Sequence, residues 1–90
     1  MSERNTFVNF EKLANDESDS VRSSVAANLN TPVSILEKLA NDKDWFVRLF
    51  LATNPNTPIC ALEKLSDDVY LGVAYEACKN IKAKKPKVHD

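Results

Sequence analysis

The side chains with the most chemical reach in this 90-residue chain are Cys60, Cys78 and His89. The cysteines have no CxxC partner, and the single histidine is the penultimate residue. A metal needs converging ligands, usually four, so this spacing implies no metal site. The expectation is that Cys78 fills a small space in the core and that Cys60 is a free thiol on the surface. Two isolated cysteines do not make a disulfide framework, which points to the reducing cytoplasm. Carboxylates are plentiful, but they recur at regular intervals where helices end and begin. There they meet the helix dipole, rather than forming the asymmetric acid, base and nucleophile that catalysis requires. Gly72 is the only glycine, so a glycine-rich loop that cradles phosphate is excluded. The chain is expected to be no enzyme and to hold no cofactor.

The regular spacing comes from a repeat. Phe10-Glu11-Lys12-Leu13-Ala14-Asn15-Asp16 recurs as Leu36-Glu37-Lys38-Leu39-Ala40-Asn41-Asp42 and again as Leu62-Glu63-Lys64-Leu65-Ser66-Asp67-Asp68. The period is 26 residues without a gap, and half the positions of 10–35 recur in 36–61. The same offset joins Val21, Val47 and Val73, joins Arg22 and Arg48, and joins Asn28, Asn54 and Asn80. Beyond Asn80 the pattern fades.

Each period reads as two short helices. Thr31 is expected to cap a helix that has Pro32 at its first position, where a missing N–H costs nothing. Ile35, Leu36, Leu39 and Ala40 follow at helical spacing. Asp44 and Asp19 are expected to cap the second helices. Asn54-Pro55 ends one of them, because the residue before proline disfavours helical geometry. Helices this short are marginal alone, and one pair cannot bury its own apolar face. The period therefore predicts an all-α fold, a short solenoid of three stacked pairs at residues 6–29, 31–54 and 57–81. Residues 1–80 form the repeat domain, and residues 81–90 a basic, disordered tail. Val21/Val47/Val73 and Leu13/Leu39/Leu65 are the expected core columns.

The run from Val47-Arg48 through Asn54-Pro55-Asn56-Thr57-Pro58 to Leu62 and Asp68 resembles the variant leucine-rich repeat, VRxxVAxNPxTPxxxLxxLAxD. Val21-Arg22 through Asp42 matches it too, with Leu29 in place of the first proline. The resemblance covers residues 10–80. It implies a right-handed superhelix of alternating α and 3₁₀ helices, related in style to HEAT-type solenoids, with no shared catalytic residues. The third copy departs from the pattern, with Ala74 for the arginine and no Thr-Pro.

Two sets of polar repeat residues are expected to be structural. Asn28, Asn54 and Asn80 form an amide ladder that satisfies backbone groups at each turn. Arg22 and Arg48 pair with repeat aspartates such as Asp16, Asp42 or Asp68 and so stitch units together. Departures from the repeat carry the binding hypothesis. Asp19, Ser20, Ser23 and Ser24 of the first unit become Trp45, Phe46, Leu49 and Phe50, then Leu71, Gly72, Tyr75 and Glu76. Trp45, Leu49, Leu71 and Tyr75 either form an exposed contact stripe or are buried by flanking units. The stripe reading makes the chain a protein-interaction module that docks a partner or a second copy through Trp45, Phe46, Leu49, Phe50, Leu71 and Tyr75. The alternative is a nucleic-acid contact through Lys79, Lys82, Lys84, Lys85 and Lys87. No apolar run is long enough to span a membrane.

Overall fold

Six α-helices account for the regular structure of residues 8–84, the part of the chain that the computed structural model describes. They are α1 (Phe10–Ala14), α2 (Asp19–Ala27), α3 (Val33–Leu39), α4 (Trp45–Thr53), α5 (Ile59–Leu65) and α6 (Leu71–Lys84). No strand occurs among the described residues. The second helix of each unit packs on the second helix of the next, α2 on α4 and α4 on α6, while α1, α3 and α5 line up beside one another. This all-helical arrangement puts the core between the two rows. Ile35, Leu36, Leu39, Val47, Leu51, Leu62, Leu65 and Val73 are buried there. In the first unit, Leu13 and Val21 are only half-buried.

The helix ends differ from the sequence expectation in three ways. The Thr31 and Thr57 hydroxyls do not cap the helices that follow. Each donates backwards, to the carbonyl of Val25 and of Leu51 at 2.7 Å, closing the end of the preceding helix. Pro32 and Pro58 take the cap positions, so that each helix begins one residue later than expected, and neither has a side-chain cap bond. Ser18, not Asp19, caps α2 by accepting from the Val21 N–H. Asp44 does precede α4, but its carboxylate is drawn away to Arg22. The first helices are α-helical rather than 3₁₀. Three-residue spacing is confined to their ends, as where the N–H of Ile35 donates to the Pro32 carbonyl, that of Asp42 to Leu39 and that of Asp68 to Leu65.

Asparagines join one unit to the next. The Asn54 amide donates to the carbonyls of Ala26 at 2.8 Å and Asn28 at 3.2 Å, both in the preceding unit. Its oxygen accepts from the Asn56 N–H at 2.9 Å, forming its own turn. Asn80 repeats the reach, to Ala52 at 2.8 Å and Asn54 at 3.0 Å. Without a Thr-Pro turn, α6 runs on through Asn80. Ile81 packs against the core and Lys84 donates to the Pro55 carbonyl at 2.5 Å. Residues 81–84, expected to belong to a disordered tail, are therefore helical. Residues 85–90 lie outside the described residues.

Asn54 is 3% exposed, so removing its amide leaves buried carbonyls without donors. Asn54→Ala should lower unfolding free energy by about 1–3 kcal/mol in urea titration. Asn28→Ala, at an exposed position, should cost under about 1 kcal/mol. Equal costs would contradict the inter-unit role. A methyl group at Gly72 meets nothing within 4 Å. Gly72→Ala should therefore raise the thermal midpoint, with a gain of roughly 0.5–1 kcal/mol.

Candidate functional site

The two repeat arginines are held in place by several hydrogen bonds each. Arg22 is buried. Its Nε and Nη2 donate to the Asp42 carboxylate at 2.8 and 3.2 Å, Nη2 also reaches Asp44, and Nη1 donates to the carbonyls of Asp16 and Glu17. Arg48 follows the same plan one period later. It grips Asp68 at 2.6 and 3.1 Å and donates to the Asp42 carbonyl at 2.7 Å. Each guanidinium thus ties the loop before its own helix to the corresponding loop of the next unit. Hydrogen bonding to Asp42 raises the Arg22 pKa, and bonding to Asp68 raises that of Arg48. Burial alone would push both carboxyls up. The hydrogen bonds from the guanidinium and from a backbone N–H two residues on, together with the arginine charge, outweigh it and hold Asp42 and Asp68 below the usual carboxylate range. The charged forms of both arginines and both aspartates are thereby favoured.

Beside Arg48 lies a run of aromatic rings. The guanidinium sits 5.6 Å from the centre of the Tyr70 ring. Tyr70 stacks on Trp45 with centroids 5.6 Å apart and planes 20° apart. Trp45 meets Phe46 edge-on at 5.8 Å. These geometries are favourable aromatic and cation–π contacts. The repeat shows why Tyr70 belongs here. It occupies the column of Ser18 and Asp44, just before the second helix, and Asp44 likewise turns its side chain to an arginine. Tyr70 is absent from the sequence-based set, although its place 22 residues after Arg48 could have revealed it.

The expected stripe divides into two classes. Phe46 and Leu49 are half-buried and packed against the core. Trp45, Phe50, Leu71 and Tyr75 are exposed by 45%, 43%, 83% and 64%. Val69 and Tyr70 extend this apolar surface on the loop that leads into α6. Burial by flanking units, the alternative weighed for these positions, applies to Phe46 and Leu49 only.

Cys78 is a correction. It was expected in the core but is exposed, because its counterparts Ala26 and Ala52 are buried under a following helix while no described helix packs over α6 at that column. Cys60 is exposed as expected, with its Sγ 3.6 Å from the Glu37 carboxylate. Among the described residues, no three metal-ligating side chains come together and no helix is long and apolar enough to cross a membrane. Of the tail lysines, Lys79 lies over the Tyr75 ring at 5.7 Å and Lys84 is bound to Pro55. Lys82 is exposed. Lys85, Lys87 and His89 lie outside the described residues. Comparison with protein-family models, curated proteins and solved structures returns no match to this chain.

The lowered carboxyl pKa values fix the sign of the acid response. A carboxyl held down in the folded chain contributes stability that is full above the unfolded value, about 3.9. That contribution is lost as pH falls through the lower folded value. Urea midpoints should therefore stay level down to about pH 4 and fall below it. Asp68→Asn should cost roughly 1.5–3 kcal/mol at neutral pH and flatten the acid fall. An acid profile identical to that of the parent would remove Asp68 from this role.

Proposed function

We propose that the chain is a short right-handed α-solenoid of the variant leucine-rich repeat type, acting as a non-catalytic module that docks another protein or a second copy of the chain on the face made by its second helices. The 26-residue columns and the row of second helices support the architecture. One observation carries the function. Trp45, Tyr70, Leu71 and Tyr75 are large apolar side chains left in solvent, in columns where the first unit manages with Asp19, Ser18 and Ser23. The repeat does not need them, so their exposure is best accounted for by a contact outside the chain. Trp45 is the anchor, a large ring held rigidly between Phe46 and Tyr70. A pre-positioned ring of this kind loses little freedom on binding. Lys79 and Lys84 make contacts within the chain, which favours this reading over a nucleic-acid contact through the tail. With both cysteines as free thiols, a reducing, cytoplasmic setting suits the module.

The test is affinity capture with the full chain and with Trp45→Ser/Leu71→Ser, both checked for unchanged helical circular dichroism. A protein held by the parent and lost by the variant, and then shown to bind when purified, is the expected result. Capture that ignores both substitutions would overturn the assignment of this face.

A further inference from the structure

The ladder identifies the side of each second helix that receives the next unit. Asn54 and Asn80 reach back to the carbonyls of Ala26 and Ala52, so α2 and α4 are covered at those columns. Ser23, Ala26 and Ala52 are buried there, and Leu49 packs against the core. On α6 the same columns hold Tyr75 and Cys78, both exposed. With Leu71 and Lys82 they form a line at spacings of four, three and four residues, the seam by which one helix packs along another. Among the described residues, α6 therefore presents an uncovered face of the same kind as the one that joins the units.

We propose that this face pairs with the same face of a second copy of the chain, α6 against α6 about a two-fold axis. The inference rests on the docking-surface reading above and names its partner.

Two observations select the two-fold arrangement over head-to-tail stacking. First, the leading side of α2 presents exposed Ser20, Ser24 and Ala27. Leu71 and Tyr75 would find nothing apolar there, whereas the α6 face offers them each other. Second, head-to-tail stacking would need an arginine at position 74 to grip Asp16 of the next copy, as Arg22 grips Asp42 and Arg48 grips Asp68. That position is Ala74. A two-fold pair also closes on itself, while the head-to-tail contact would grow without limit.

Charge and area fit the pairing. Antiparallel α6 helices crossing beside Tyr75 bring the exposed Lys82 of each copy toward the exposed Asp67 of the other and set Cys78 opposite Gly72, beside which lies open space. On this side Val69, Tyr70, Leu71 and Tyr75 offer on the order of 100 Å² each at their observed exposures, and the exposed Cys78 and Lys82 add about 100 Å² between them. The pair would then bury about 1,000 Å² in all, the lower limit for specific association. The expected dimer is weak, with a Kd of roughly 1–100 µM.

Sedimentation equilibrium of the full chain across that range tests the proposal. Mass should rise from monomer to dimer and stop there. Leu71→Lys and Tyr75→Glu, both at exposed positions, should each raise Kd at least about tenfold with circular dichroism unchanged. A mass that climbs past the dimer would show head-to-tail growth and overturn the two-fold pairing, as would a dimer indifferent to both substitutions. A chain that stays monomeric throughout would overturn self-pairing. The docking reading would then stand or fall separately, on whether Trp45→Ser/Leu71→Ser abolishes capture of another protein.

Discussion

A seven-residue helix is mostly ends. Its first four N–H groups and last four carbonyls have no partner within the helix, and in α3 and α5 that describes nearly every peptide group. The fold depends on meeting this demand from outside each helix. Thr31 and Thr57 close carbonyls at the ends of α2 and α4. Asn54 and Asn80 reach across to the preceding unit. Arg22 and Arg48 collect carbonyls on one side and carboxylates on the other. Among the described residues, no buried side-chain nitrogen or oxygen lacks a partner. Apolar burial drives the stacking, and these polar side chains fix its register, because a shift by one residue would strand several buried groups together.

Much of this was legible in the sequence, because a repeat lines up residues that share an environment. The column of Leu39 and Leu65, the arginine–aspartate pairs and the asparagine ladder all follow from the 26-residue offset. A column does not reveal which neighbour covers it, and the misplaced residues share that origin. Cys78 inherits the column of Ala26 and Ala52, but no described helix covers it. Thr31 has the chemistry of a cap, yet its hydroxyl donates to the Val25 carbonyl instead. Asp44 stands at a cap position, but a buried guanidinium competes for its carboxylate and holds it. Local propensity names the candidates, and the strongest nearby charge chooses among them.

The aromatic cluster shows how a repeat can be adapted without being broken. The column before the second helix carries Ser18, Asp44 and Tyr70, each serving a different local need. Ser18 caps a helix, Asp44 completes the shell around Arg22, and Tyr70 lays its ring over Arg48 and against Trp45. An ion-pair partner is thus exchanged for a cation–π contact, and the exchange adds apolar surface beside the pair. Its cost falls on solubility rather than on folding, since Leu71 and Val69 remain in water while Val73 and Ala77 fill the core from the same helix.

The ladder also has a grammar. The side chain of Asn54 addresses the unit before it, and its backbone carbonyl is addressed by the unit after it. The two links belong to different parts of one residue, so a side-chain change severs the backward link and leaves the forward one standing. Every interior unit presents the same pair of terms to its neighbours. A further copy of residues 36–61 spliced between the second and third units would therefore meet, on each side, the partners that its flanks already expect. The chain behaves as a vectorial polymer whose monomer is 26 residues long, each unit carrying one link that points backward and one that waits for the unit ahead.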